Sequence, residues 1–193
     1  MGKIKSKVRE GHVFQVLTKR ADRMLEFVSR IHFDNKEGYV LGDSSGQGLL
    51  LNKDIWLGVS VENQETANLR IPILLRTPAA VRWISAEPMI GPINLEEICI
   101  GHETERGGSL KSITMDSLCD FRGHNSLNWV VLGGESGGVK SRPMHTEWVR
   151  TLRDQCKQAS VPFLFKQWGE WVQSKVEPIH YWWNPASQEW VYS

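Results

Sequence analysis

Residues 129–138 read WVVLGGESGG, an apolar run that passes directly into glycines and a single carboxylate. Four consecutive apolar residues without alternation are typical of a strand that is buried on both faces, as in a parallel sheet. Glu135 and Ser136 then follow the carboxyl end of this predicted strand. An apolar run followed at once by polar residues recurs along the chain, and this repetition predicts the fold.

Four further runs have the same character: residues 13–17 (VFQVL), 55–61 (IWLGVSV), 81–85 (VRWIS) and 162–165 (PFLF). Two apolar stripes at helical spacing lie between them, namely Met24, Leu25, Phe27, Val28 and Ile31, and Trp148, Val149, Leu152, Cys156 and Ala159. Strands and helices that alternate in this way favour right-handed βαβ units. The predicted fold class is therefore α/β, an incomplete (β/α) barrel with about five mostly parallel strands.

The helix boundaries rest on particular residues. Asn63 is a candidate N-cap for the helix after the second run, and Pro72 is expected to break or kink that helix. Thr146 is the predicted N-cap of the last helix. Cys156 lies on the apolar face of this helix and is interpreted as a core residue.

The 193 residues suffice for one sizeable core, so a single domain over residues 1–193 is predicted. Its (β/α) core spans residues 12–171. Two stretches, residues 38–51 and 100–126, are polar or glycine-rich and are interpreted as insertions. The Trp-rich tail, residues 172–193, is predicted to form a terminal hairpin that turns at residues 184–187.

Composition excludes several classes of protein. The net charge of +1 gives no strong signal for nucleic acid. No apolar run approaches the ~18 residues that a membrane span requires, and no signal peptide is found. The cysteines are Cys99, Cys119 and Cys156, odd in number and far apart, and their spacing to His102 and His124 matches no usual zinc pattern. A reduced, cytoplasmic protein without a closed metal site is therefore predicted.

Charged residues follow every predicted strand: Lys19, Glu62, Glu87, Glu135 and Lys166. Because the carboxyl ends of parallel strands meet at one rim, these five side chains are expected to converge where α/β proteins place their sites. Two interpretations remain open. The five form a structural salt network, or they line a polar pocket in which they are the catalytic candidates, the glutamates as acid/base groups if burial raises a pKa. The two interpretations are not exclusive.

The ligand-binding candidates surround this rim: Asn63, Gly133, Gly134, Glu135, Ser136, Arg142, His145 and Gln167. Glycines after a strand allow close backbone approach or expose N–H groups to an anion, although the segment is not a recognised nucleotide motif. Arg142 either pairs with Glu135 or binds a carboxylate or phosphate. His145 either titrates or precedes the N-cap of the last helix.

Six segments resemble the signature blocks of a phage-associated family of unknown function, in the family's order. They are HVFQVLTKRADRM, IWLGVSVENQ, RIPILLRTPAAVRWISAEPMIGPINL, NWVVLGGESG, RPMHTEWVRTLRDQC and VPFLFKQWGEW, which cover most of residues 12–171. Typical members carry an additional cysteine-rich segment that resembles radical S-adenosylmethionine proteins, followed by a further strand. The resemblance implies a radical-SAM-like partial TIM barrel whose strand ends line the S-adenosylmethionine and substrate cavity.

Residues 1–11 do not supply that cysteine segment, so no iron–sulfur cluster is expected from this chain alone. The predicted function is a cluster-less phage or mobile-element scaffold that binds a protein partner, with a role in host defence as one reading. Open sheet edges favour such a partner or a homo-oligomer. The alternative is an enzyme, or a split-enzyme subunit, that binds S-adenosylmethionine or a nucleotide at the rim. A phage-encoded chain would act in the host cell cytoplasm.

Overall fold

A computed structural model describes residues 12–34, 38–41, 53–104, 109–119, 125–138, 140–171, 181–184 and 189–192. Its elements in chain order are β1 (Phe14–Thr18), α1 (Ala21–Ser29), β2 (Ile31–Asp34), β3 (Gly38–Leu41), β4 (Ile55–Ser60), α2 (Gln64–Arg76), β5 (Val81–Ala86), β6 (Ile98–Thr104), β7 (Leu110–Met115), β8 (Trp129–Gly133), α3 (Thr146–Gln158), β9 (Phe163–Gln167), β10 (Tyr181–Asn184) and β11 (Glu189–Tyr192). No helix in these ranges is long and apolar enough to cross a membrane.

The central sheet has five strands in the order β1-β4-β5-β8-β9, and every pair in it is parallel. Each of the five apolar runs forms one of these strands, with bounds within two residues of those expected. The sheet does not close on itself in the described ranges, because β1 and β9 are its edges. The predicted α/β class, with an incomplete barrel of about five parallel strands, is confirmed.

Among the described residues, three antiparallel strand pairs accompany the sheet: β2–β3, β6–β7 and β10–β11. The β6–β7 hairpin occupies part of the predicted 100–126 insertion. The β2–β3 hairpin includes the first residues of the predicted 38–51 insertion, while residues 42–51 lie outside the described residues. The β10–β11 pair confirms a hairpin in the tail, but residues 185–187 of its proposed turn lie outside the described residues. Ile31 begins β2 and is therefore not part of the preceding helix, which ends at Ser29.

The core lies between one face of the sheet and the helices. Val59, Ile84 and Leu132 point to this side from three neighbouring strands and are fully buried, as are Ile71 on α2 and Leu152 on α3. Cys156 is also fully buried here, and desolvation raises the pKa of its thiol to about 12. The interpretation of Cys156 as a core residue is confirmed.

The opposite face of the sheet carries three tryptophans on adjacent strands. The ring of Trp129 lies 5.2 Å from that of Trp83 and 5.7 Å from that of Trp56, measured between centroids. Gly58 makes room for this cluster, because a Cβ at that position would lie 2.5 Å from the Trp83 ring. The sheet face opposite the helices is therefore aromatic near the amino ends of its strands.

The helix ends agree in part with expectation. Asn63 caps α2 in a reciprocal arrangement with Thr66, as predicted. Of the two expected effects of Pro72, a break or a kink, the break is wrong, since α2 continues to Arg76. The burial of Ile71 and Leu74 on either side of the proline outweighs one lost hydrogen bond.

The N-cap of α3 was assigned one residue too late. His145, not Thr146, occupies this position, and its Nδ1 accepts a hydrogen bond from the Glu147 N–H at 3.2 Å. An imidazole nitrogen can accept the bond that a hydroxyl usually accepts at this position. The ring also lies 5.8 Å from that of Trp148. His145 is therefore tied to the start of the helix.

Candidate functional site

The carboxyl ends of the five parallel strands form one rim. Lys19, Glu87 and Glu135 follow the ends of β1, β5 and β8 within two residues, Glu62 lies two residues beyond β4, and Lys166 is the penultimate residue of β9. Each glutamate contacts at least one cation. The pairing expected of a salt network is therefore present, and Lys19 and Lys166 each neutralise one glutamate.

Glu62 is the most buried of the three carboxylates. Its Oε1 lies 2.7 Å from the Lys19 ammonium, and its Oε2 accepts a hydrogen bond from Arg70 Nη1 at 2.8 Å. Arg70 is itself mostly buried and also donates to the Ser60 carbonyl, whereas Lys19 is largely exposed. Burial alone would raise the pKa of Glu62, but Lys19 and Arg70 together hold it below its ordinary value.

Glu87 is the centre of a second cluster. Both of its oxygens accept from the Lys166 ammonium, at 2.9 and 3.0 Å, and Oε1 also accepts from Gln167 Nε2 at 3.1 Å. Gln167 Nε2 lies 3.3 Å from the Ser136 hydroxyl and so connects this cluster to the β8 end. Gly133 accommodates the carboxylate, because a Cβ there would lie 2.8 Å from Glu87 Oε1.

Glu135 and Arg142 form a two-point ion pair. Arg142 donates from Nε to Oε2 at 2.8 Å and from Nη2 to Oε1 at 2.5 Å, and its backbone N–H donates to Oε2 at 2.7 Å. These bonds lower the pKa of Glu135 to about 2. The expected pairing of Arg142 with Glu135 is therefore present, although almost half of the guanidinium side chain stays exposed.

A side-chain contact links two of the three clusters along the rim. The hydrogen bonds with Glu135 raise the pKa of Arg142, and the charges of Glu135 and Glu62 add to this rise. The Gln167–Ser136 contact connects the second cluster to the residue after Glu135. All five charged residues that follow the strands therefore take part in ion pairs at the rim.

Gly134 and Gly169 allow two strand ends to approach each other closely. The Gly134 N–H donates to the Gln167 carbonyl at 2.9 Å, and the Glu170 N–H donates to the Glu135 carbonyl at 2.8 Å. A Cβ at Gly134 would overlap the carbonyl oxygen of Trp168, and Gly169 has a positive φ of 86°. Of the two predicted roles for Gly134, close backbone approach is the one seen, because its N–H is already bonded.

The remaining candidates lie away from the rim or support it. Cys99 Sγ lies 4.0 Å from His102 Nε2, and within the described ranges no group of three potential metal ligands occurs. His124, which the sequence analysis considered with these residues as a zinc ligand, lies outside the described ranges. Trp168 packs on Phe165 at 4.9 Å, and the Trp171 indole donates to the Ser141 carbonyl at 2.5 Å.

Arg70 is the site residue that the sequence interpretation missed. It lies on α2, seven residues after the Asn63 cap, and so faces the same side of the helix as the cap. A sequence signal was present, because the stripe through Asn63, Thr66 and Arg70 is polar in a helix whose other inward positions are apolar. This stripe faces the end of β4, where Glu62 lies.

The Glu135–Arg142 pair predicts a pH-dependent stability. Since the folded-state pKa of Glu135 is about 2, below its ordinary 4.5, the pair stabilises the fold above pH 4.5, and this contribution is lost as the pH falls toward 2. The free energy of unfolding of the wild type is therefore expected to exceed that of Glu135→Gln at pH about 6, with a smaller difference at pH about 3. Urea denaturation at both pH values measures this, and a difference that is the same at both would contradict the assignment.

An open parallel sheet with a charged carboxyl-end rim defines a protein of the α/β class with a candidate site of polar groups. The family described as "Protein of unknown function (DUF5131)" matches residues 4–186. The chain belongs to this family. This confirms the expectation of a family of unknown function. No curated protein matches the chain, and neither does any solved structure.

Proposed function

We propose that the protein acts by binding a protein partner along β1, the first edge of the central sheet. The observation that supports this is the exposure of its large apolar side chains: Val13, Phe14, Val16 and Leu17 are each 44–49% exposed. The middle strands β4 and β5, by contrast, are almost completely buried beyond their first residues. An apolar edge strand of this kind is where a second polypeptide adds to a sheet.

Exposed apolar side chains lie on both faces of β1. Phe14 and Val16 point to the helix side, as their register with Ile55 and Leu57 on β4 requires, and Leu17 points to the opposite side. β1 is paired with β4 along one edge, and within the described ranges no strand is paired along the other. An apolar strand from a partner would therefore complete hydrogen bonds and cover apolar side chains on both faces at once.

A phage or mobile-element origin, a radical-SAM-like scaffold and a host protein as the partner belong to this proposal. They rest on the signature blocks quoted above, of which HVFQVLTKRADRM contains β1 itself. For a role in host defence, the partner would be a host protein in the cytoplasm. A homo-oligomer through the same edge is the competing outcome.

The partner proposal is tested by capture on the tagged chain from host lysate. Val16→Lys places a charge in the middle of the exposed strand and is expected to abolish capture, because a lysine on an edge strand opposes pairing. Leu69→Lys is the matched control, since Leu69 is also apolar and exposed but lies on α2. Equal capture by both variants, or a monomer that captures nothing, would contradict the proposal.

A second candidate function is an enzyme or split-enzyme subunit that binds S-adenosylmethionine or a nucleotide at the rim. The connected set of carboxylates, ammonium groups and amides around Glu87 and Glu135 favours it, since such groups fix polar ligands. Calorimetry with S-adenosylmethionine tests this candidate. Absence of binding, together with unchanged activity of Glu135→Gln and Lys19→Met in any available assay, would remove it.

A further inference from the structure

The β6–β7 hairpin has an irregular register near the start of β6. Cys99 lies opposite Thr114, and Gly101 lies opposite the adjacent residue of β7, so β6 contains one extra residue between them. In a regular strand, residues three apart point to opposite faces, because the side-chain period is two. The extra residue reverses this alternation, and Cys99 and His102 therefore lie on the same face of the hairpin.

The side chains of Cys99 and His102 contact each other on that face. The distance from Cys99 Sγ to His102 Nε2 is 4.0 Å. Bonds of about 2.3 Å to a thiolate and about 2.0 Å to an imidazole place the sulfur and the nitrogen of one metal site roughly 3.5 Å apart at a tetrahedral angle and roughly 4.3 Å apart when linear. The distance in the hairpin lies within this range and toward its wide end, so the pair has the spacing to bind one ion between them.

Hydrogen bonds to two elements fix the position of Cys99. Its N–H donates to Asn68 Oδ1 at 3.0 Å, and the same oxygen accepts from Gln64 Nε2 at 2.9 Å, so α2 holds the backbone at this point. The thiol donates to the Gly101 carbonyl at 3.3 Å. The proton in this bond is the one that a metal ion replaces, because the thiolate is the form of cysteine that binds metals.

The pair lines a groove of about 400 Å³ between α2 and β6. Leu69 and Pro72 from α2 and Ile100 from β6 are among its apolar lining. An apolar surrounding limits the access of water and, together with a thiolate, favours a soft ion over a strongly hydrated one such as magnesium. Cys99 is half-buried and His102 is exposed, so an ion from solvent can reach both.

We infer that Cys99 and His102 form a two-ligand binding site for a soft monovalent metal cation, copper(I). Thiolates select copper(I), imidazole also suits copper, and this ion accepts two ligands at a wide angle. Zinc is a poorer fit, since its sites take at least three protein ligands and no group of three potential ligands occurs within the described ranges. Binding forms one copper–sulfur and one copper–nitrogen bond and releases the thiol proton to solvent.

This site contains no residue of the β1 edge or of the rim, and it rests on neither proposed function. The test is a titration of the purified full chain with copper(I) in the absence of oxygen, in competition with a coloured copper(I) chelator. Cys99→Ser is expected to abolish the tightest binding event. His102→Gln is expected to weaken it about a hundredfold or more, since loss of even a supporting residue costs about 10- to 100-fold in metal affinity.

Cys119→Ser is the matched control. Cys119 is also an exposed thiol, but a hydrogen bond with Asp116 raises the pKa of its sulfur, which opposes the thiolate form. The copper(I) affinity of this variant should equal that of the wild type. An equal loss in Cys99→Ser and Cys119→Ser, or wild-type affinity in His102→Gln, overturns the inference.

Alkylation of the unmodified sequence gives a second readout that does not depend on the folding of a variant. Copper(I) should protect Cys99 from iodoacetamide and leave Cys119 reactive, as the masses of the two cysteine peptides show. Protection of both thiols to the same extent, or of neither, contradicts a site built from Cys99 and His102.

Discussion

Gly134→Ala is expected to lower the free energy of unfolding by about 3 kcal/mol or more. The added Cβ would overlap the backbone carbonyl of Trp168, which cannot rotate away as a side chain could. That backbone is held by the Gly134–Gln167 and Glu135–Glu170 hydrogen bonds, so relief requires the ends of β8 and β9 to separate. Urea denaturation of the two proteins measures the loss.

Gly101→Ala is the control for this prediction. Gly101 lies in β6, and a Cβ there has no neighbouring atom within 4 Å. Its substitution should change the free energy of unfolding by no more than about 0.5 kcal/mol. Comparable losses at both positions would show that the effect comes from glycine's backbone freedom in general and not from the contact between the two strand ends.

Glu62→Gln is expected to cost about 3 kcal/mol of stability. The change leaves Arg70, a mostly buried guanidinium, without its carboxylate, and an unpaired buried charge is costly. The same change removes the partner of Lys19, but that ammonium is exposed and can be solvated by water. The free energies of unfolding in urea, compared with the wild type, give the value.

Lys19→Gln distinguishes the contribution of Lys19 from that of Arg70 to the stability of the Glu62 ion pairs. Since Lys19 is largely exposed and Glu62 keeps Arg70, the loss should be below about 1 kcal/mol. If Lys19→Gln destabilised the protein as much as Glu62→Gln does, then Arg70 would not be the main support of Glu62. The order of the two effects therefore identifies which cation stabilises the buried carboxylate.

The central sheet was predictable because a strand that is buried on both faces has a recognisable, almost entirely apolar sequence. A strand such as β8 must be apolar at nearly every position, and residues 129–132 are. The full length of α2 was harder to predict from the sequence. Pro72 is a local signal against a helix, and only the tertiary burial of Ile71 and Leu74 overrides it. The N-cap of α3 was misplaced for a similar reason, since Thr146 has the more usual capping side chain and His145 forms the bond.

The sequence predicted which charged strand-end residues lie at the rim, but it did not predict how they pair. Parallel strands bring their carboxyl ends to one edge, so Glu62, Glu87 and Glu135 had to meet there. Which cation binds which glutamate depends on side-chain reach across the rim. Arg70 was missed because it comes from a helix and not from a strand end. The role of Gly169 depends on its positive φ and on contact with a segment more than 30 residues earlier, which no local pattern reports.

The rim and the β1 edge are adjacent, because Lys19 directly follows β1 and pairs with Glu62. A partner strand laid along β1 would end beside this ion pair. Binding at the edge would therefore alter the solvent exposure of Lys19.

The proposal that β1 receives a partner strand is tested most directly by site-specific photo-crosslinking in cells that express the chain. A photoreactive phenylalanine analogue is placed at position 16, and in a second protein at position 69 on α2 as the exposed apolar control. A discrete crosslinked product with a second polypeptide is expected from position 16, and none is expected from position 69. No product from position 16, or the same products from both positions, would contradict it.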